Sequence, residues 1–484
     1  MYLSKLVTVL KSFDEPRLKR LKKYVHSPYF NTPPVCRLLL DRLLLLHPKF
    51  LEKKMTPELL GKGIVTLSTS QKQTTAATQL LTIIKEFIAL EEWQKDRARV
   101  TQYLLKGLKQ LSLAAEFKKE YAKEKELLDT DPEQNFDVFF ERHALAELKH
   151  TGFSSRLSRN AQNDLLPIVK TLDDFYALKR LRALCEIINR HQVFGAAYHD
   201  EHVPGLLKIL EPYNSSKYPY PYLFINVYHL LSSSTYEDSR LYYQLIKQFA
   251  EERGPTPSLQ EAMGYAINRS LDWFNQGHDE AGSEYLWWID WRMKHNLLLE
   301  KGQLMPVTFR NIVSIAVITK VKPDEIEKMI NRYAPHLPAE QHDTFLAFAR
   351  GLHQYRLQRY KEAIRFLLEA RAKDEVKFNC LIRRWEWMCL YEYDRNDTDE
   401  LYNHLLSFEK HLQRNEKELD HVINVFELFI SYAMKLLKAV GTDAVSEHMN
   451  NLNTQEYFAG KIWLLQHFEA KIKKPVRNLH GPDF

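Results

Sequence analysis

Apolar residues recur three and four positions apart along almost the whole chain, the spacing that lines one face of an α-helix. Leu3, Leu6, Val7 and Leu10 open the first such stripe. Ser12 followed by Glu15 has the form of a capping box, in which the hydroxyl accepts an amide three residues on and the carboxylate reaches back. A second helix is therefore expected through Leu18, Leu21 and Val25. Ser27 precedes Pro28, is pushed out of the α region, and ends it. Pro33 and Pro34 start a leucine-rich helix over 35–46, and Thr56-Pro57-Glu58 starts the next. Helical spacing then runs from Gln71 to Leu128, carried first by Leu80, Ile84, Phe87 and Ile88 and then by Leu104, Leu108, Leu111 and Ala115. Asp131-Pro132-Glu133 predicts another start and Gly152 its end. A long helix over 161–190 is expected to bury Leu165, Ile168, Val169, Leu172, Phe175 and Leu184, with Pro167 near its first turn.

Glycine, proline, serine and asparagine cluster over 195–222, ending in Tyr218-Pro219-Tyr220-Pro221-Tyr222. This reads as a stiff connector, with an exposed polyproline ligand as the sharper alternative. Beyond it, turns followed by new helix starts fall near Gly277, Val321, Gln358, Asp397 and Gly441, roughly 37 to 45 residues apart, the period of helix-pair solenoids. The fold class expected is all-α: an N-terminal helical domain over 1–130, linking long helices over 131–210, a helical-repeat array over 211–474 and a flexible tail over 475–484.

One unit, over 345–375, resembles a tetratricopeptide repeat (TPR). Gly351 matches the small residue of its first helix, Tyr360 the turn aromatic, and Ala363 and Ala370 the small residues of the second helix. Small residues are needed there because two helices approach closely only where one presents Gly or Ala. The flanking units are more degenerate: Ser270, Ser314 and Cys389 take the small place, Trp385 the early Trp, Gly282 and Ala444 are small in second helices, and Ile326 and Leu401 are not. Further along, Ser27-Pro28-Tyr29-Phe30-Asn31, the Leu181-Arg182 helix ending in Asn189-Arg190, the Asn275-Gln276-Gly277 turn and Arg414-Asn415 resemble a family of uncharacterised TPR-like helical-repeat proteins of Bacteroidetes-type bacteria. That resemblance implies no catalytic residues. The tetratricopeptide resemblance implies a right-handed stack of antiparallel helix pairs whose first helices line a groove. Its ligand-facing places fall on Asn275, Thr308, Asn311, Tyr355, Arg356, Arg383, Glu386 and Tyr393, with Phe345 and Phe348 on the same side. Such a groove suits an extended or helical peptide with some acidic residues. The plainer alternative is a solvated face with an apolar seam.

Composition narrows the class without naming a task. In 484 residues there are only 15 glycines, which disfavours folds rich in tight turns and phosphate loops. The net charge of +6, from 68 basic and 62 acidic side chains, aids solubility and does not by itself imply nucleic acid. Cys36, Cys185, Cys380 and Cys389 lack metal-ligand spacing and read as buried reduced thiols of a cytoplasmic protein. Residues 1–13 lack a small-residue cleavage site, and apolar runs such as Ile315 to Ile318 fall short of the roughly 20 residues of a membrane span.

Candidate chemistry is sparse. Gly61-Lys62-Gly63 lacks the frame of a phosphate loop. His199-Asp200-Glu201-His202 has metal-ligand residue types but no second pair nearby, and a polar loop is the simpler reading. Arg42 with His47, and Arg414-Asn415 with His421, have the loose spacing of helical ribonucleases, a spacing that many Arg and 19 His produce by chance. Trp287-Trp288-Ile289-Asp290-Trp291, with Trp273, reads as core in preference to a stacking platform. The basic residues from Arg17 to Lys23 surround an apolar ridge, as a solvated face does. No catalytic, cofactor-binding or metal-binding residue is assigned. The expectation is a non-enzymatic scaffold or adaptor with a protein or peptide partner. A nucleic-acid-associated regulator using the basic N-terminal helices is the alternative, and an enzyme of unrecognised type the third.

Overall fold

The computed structural model describes residues 2–30, 32–48, 50, 59–60, 62–150, 161–194, 203–214, 218–372, 375–419 and 422–473. Among them the regular structure is helical throughout, with 23 helices and no strand, and one isolated bridge joins Glu300 to Gln303. The all-α expectation is met. No helix among the described residues is long and apolar enough to cross a membrane. Thr56-Pro57-Glu58, Gly61, Gly152, the 199–202 cluster, His421 and the 475–484 tail lie outside the described residues.

The chain divides into two compact units, one of residues 1–131 and 137–172, the other of 132–136 and 173–484. In the N-terminal unit, α1 (Tyr2–Lys11), α2 (Glu15–His26) and α3 (Pro34–Leu44) pack on α4 (Ser70–Lys95). The expected stripes do the packing: Leu6, Leu10, Leu21, Val25, Leu39 and Leu43 meet Ala77, Leu80, Ile84 and Phe87. The cap of α2 differs from the one expected. Asp14 accepts from the Arg17 amide at 2.8 Å, whereas Ser12 donates backward to the Val9 carbonyl at 2.7 Å. Ser12 thus closes α1, and the shorter carboxylate of Asp14, two residues before Pro16, starts α2. Arg17 and Arg20 on that basic helix both donate to Glu91 at 2.7 Å.

A second core in this unit gathers Leu105 of α5 (Arg97–Gln110), Phe117 and Leu128 of α6 (Ala114–Asp129) and Leu145 of α7 (Phe136–His150). The helix expected from Asp131-Pro132-Glu133 begins instead at Phe136, because Gln134 takes a left-handed φ of 47° that breaks the turn. The long helix α8 (Ala161–Phe194) also corrects an expectation: Leu165, Val169 and Leu172 are 46%, 57% and 45% exposed. Its apolar residues occupy two faces. Leu184 is buried as expected, together with Ala177, Leu178, Leu181 and Cys185 on the other face.

The C-terminal unit continues through α9 (Val203–Leu210), α10 (Pro219–Ser232), α11 (Tyr236–Arg253), α12 (Pro257–Asn275), α13 (Asp279–Lys294), α14 (Pro306–Ile318) and α15 (Pro323–Tyr333). It ends with α16 (Ala339–Arg356), α17 (Tyr360–Glu369), α18 (Val376–Tyr393), α19 (Thr398–Arg414), the single turn α20 (Glu416–Leu419), α21 (Ile423–Lys438), α22 (Thr442–Thr454) and α23 (Lys461–Lys473). Most helices pack on the next. In addition, α10 packs on α12, α14 on α16, α16 on α18, α19 on α21 and α21 on α23. Tyr218 to Tyr222 is not an extended connector: Pro219 opens α10, and Pro219, Tyr220 and Pro221 are buried. Proline fits a first helical turn, where its missing N–H has no intrahelical partner to lose.

Glycines mark the closest helix approaches. A Cβ at Gly351 would come within 2.8 Å of Leu367 Cγ, and one at Gly282 within 2.6 Å of Thr319 Cγ2. The tryptophan segment is largely core: Trp288 and Trp291 are buried, as is Trp273, while Trp287 lies under the Lys247 ammonium at 5.0 Å.

Candidate functional site

The C-terminal unit contains a cleft of about 250 Å³. Its floor is built by the last turns of three helices: Phe274 and Asn275 of α12, Val317 and Ile318 of α14, and Tyr355 and Arg356 of α16. Arg384, Trp385 and Met388 on α18 form one wall. The opposite wall comes from the far end of the chain, with Tyr457, Ala459 and Gly460 before α23 and Ile462, Trp463 and Gln466 upon it.

Two glycines allow this closure. Gly277, at a φ of +98°, turns the chain between α12 and α13, and a Cβ there would meet the Tyr457 ring at 3.1 Å. Gly460, at a φ of +103°, approaches Phe429 so closely that a Cβ would lie 2.7 Å from its ring, with Arg384 Cδ at 3.7 Å. Both the left-handed backbone and the missing side chain are required at these points. The helix α23 is then pinned by a polar pair. Glu392 accepts from Trp463 Nε1 at 3.1 Å, and His467 Nε2 lies 2.9 Å from the same oxygen. Although burial opposes it, hydrogen bonding and charge from His467 hold the Glu392 carboxyl below its ordinary value. Trp463 packs edge-on against Trp387 and Tyr391 at centroid distances of 5.6 and 5.3 Å.

The electrostatics of the cleft are uneven. Lys320, Arg356 and Arg384 line it against the single carboxylate of Asp279. Arg356 is committed in part, donating from Nη2 to the Lys320 carbonyl at 3.2 Å. Arg384 differs: it is 5% exposed, and neither Nε nor Nη1 has a hydrogen-bond partner among the described residues. Burial pushes its guanidinium down to about 10, a long way for a group that is otherwise always charged. Asp279 is pushed up, first by burial and then by Glu280, with Lys320 opposing.

No family model, curated protein or solved structure matches this chain. The cleft therefore has to be read from its own chemistry.

The residues expected to face a groove fall into separate places. Asn275, Tyr355 and Arg356 line the cleft. Phe345 and Phe348 are buried, stacked and edge-on against Phe378 at 4.6 and 5.1 Å, so they form the seam between α16 and α18. Glu386 is 1% exposed and is held by Arg371, whose Nε donates at 3.0 Å, and by His404 Nε2 at 3.3 Å. Arg383 turns toward α19 and donates to Ser407 Oγ at 3.3 Å. Thr308 and Asn311 are half-buried on α14, where Arg310 donates to Asn311 Oδ1 at 3.0 Å. Tyr393 is 50% exposed beneath the Lys361 ammonium.

Arg384, Lys320, Tyr457 and Trp463 were not singled out from the sequence. The first neighbours the expected Arg383, and a one-residue step of about 100° around the helix carries the side chain from α19 to the cleft. Lys320 follows the last turn of α14. Tyr457 and Trp463 reach the site through a contact spanning 180 residues, for which local sequence carries no signal.

Proposed function

We propose that the C-terminal unit is a TPR-like, right-handed stack of helical hairpins that serves as a non-enzymatic interaction module in the cytoplasm. Its partner is a protein or peptide segment carrying acidic residues. The alternation in which α14 meets α16 and α16 meets α18 supports the stack, as does the close approach of α16 and α17 at Gly351. The observation that carries the functional reading is the excess of cations over carboxylates in a cleft walled by Tyr355, Trp385, Tyr457 and Trp463. Partly desolvated cations beside aromatic faces favour carboxylates and discriminate against neutral chains. The cytoplasmic reading rests on four buried free cysteines, which an oxidising compartment does not require.

The reading is tested by reversing the rim charges. Lys320→Glu combined with Arg356→Glu should leave the helical circular-dichroism signal intact and abolish recovery of the partners that the unaltered chain captures from its native cell. Recovery of the same partners by the folded double variant would end the proposal. Arg383 is a poor choice for this test, because its side chain engages Ser407 on α19 and a reversal there would disturb the seam.

A further inference from the structure

A guanidinium removed from water without a partner is strongly unfavourable, because the lost hydration is not replaced. Two nitrogens of Arg384, Nε and Nη1, are in that position, and the residue lines the cleft. We infer that the cleft binds a small apolar monocarboxylate, whose carboxyl group pairs with the Arg384 guanidinium and whose apolar part lies among Ile318, Trp385, Met388, Ile462 and Trp463. This goes beyond the interaction module proposed above, since its anchor is Arg384 and not the rim pair Lys320 and Arg356.

Three features select the ligand class. The first is size: a cleft of about 250 Å³ encloses one aromatic or short aliphatic acid group. The second is charge. The floor is made by the C-terminal turns of α12, α14 and α16, whose carbonyl ends carry partial negative charge and repel a doubly charged phosphate. One helix N-terminus does reach the cleft, that of α13, and it already carries Asp279 in its first turn. The third is the lining. Around a single deep cation the walls are aromatic and aliphatic, and such walls gain most from covering an apolar body. Guanidinium and carboxylate also match geometrically, through two parallel N–H···O bonds.

The same chemistry has two possible sources, a free acid and the carboxyl-terminal residue of a peptide, and a titration separates them. The full chain is titrated at neutral pH, by calorimetry and tryptophan fluorescence, with 3-phenylpropanoate, its neutral amide, inorganic phosphate and an acetylated Gly-Phe dipeptide ending in a free carboxylate. The expected result is one saturable site for a carboxylate probe, with binding of the amide at least tenfold weaker and of phosphate undetectable. Tighter binding of the dipeptide identifies a chain terminus as the source, and tighter binding of the free acid identifies a small molecule. Equal binding of acid and amide, saturable phosphate binding, or no binding of either carboxylate would overturn the inference. The acid-against-amide comparison uses the unaltered protein and is independent of any variant's folding. Arg384→Met should then lose the carboxylate preference.

Discussion

At the scale of the residue, two glycines of similar appearance have opposite roles. Gly351 and Gly264 both sit inside helices, where alanine is favoured by about 0.8–1.0 kcal/mol. A Cβ at Gly264 meets nothing within 4 Å, so Gly264→Ala should raise stability by about 0.5–1 kcal/mol. At Gly351 the same methyl would press on Leu367 Cγ at 2.8 Å and the Ala363 carbonyl at 3.3 Å. Overpacking of this kind costs about 1–3 kcal/mol and exceeds the propensity gain, so Gly351→Ala should lower the urea midpoint. Equal stabilisation by both substitutions would show that α16 and α17 are not in close contact.

Glu141 supplies a pH test in the N-terminal unit. Burial pushes its carboxyl up to about 7, Arg99 opposes, and Gln102 donates to it. Between the ordinary value of 4.5 and the folded value the native state binds more protons than the unfolded state, so stability falls as pH rises through that window. Glu141→Gln keeps an acceptor for Gln102 and removes the buried charge. It should stabilise the protein by about 1–3 kcal/mol at pH 8 and have no effect at pH 4, as read from denaturant midpoints.

At the scale of the element, the sequence signals that proved reliable were those with a local cause. The stripes of α1 to α4, the end of α2 before Pro28 and the start of α3 at Pro34 follow from apolar spacing and proline sterics. Signals that failed were decided by competition. Asp14 displaced Ser12 as a cap, and Pro219 and Pro221, read as a connector, entered the first turn of a buried helix. On α8 two apolar faces were present, and periodicity alone did not say which one would be covered. The cleft shows the same division. Asn275, Tyr355 and Arg356 were legible from repeat phase, whereas Val317 and Ile318 of α14 were not, and the fourth wall depends on α23 folding back, which follows from the Gly277 and Gly460 contacts.

The docking of α23 has its own test. Glu392 is the acceptor for both Trp463 and His467, and its depressed carboxyl contributes stability above the ordinary value of 4.5 that is lost as pH falls below it. Glu392→Gln should therefore speed amide hydrogen exchange in α23 at pH 7 without changing exchange in α12. Acidification below pH 4.5 should loosen the same helix in the unaltered protein. Uniform exchange across both helices would mean that the Glu392 pair does not hold α23 in place.

At the scale of the whole molecule, the fold buries the Arg384 guanidinium with Nε and Nη1 unpaired, which suits it to meet an anion. Such a group is retained at a cost in stability, because the hydration it loses on burial is not replaced. The most direct measurement is the thermal unfolding of the ligand-free full chain with Arg384→Met. An unchanged or raised midpoint, with the helical signal preserved, is the predicted result. A midpoint lowered by several degrees would show that Arg384 already has its partner inside the folded chain, and would contradict the account.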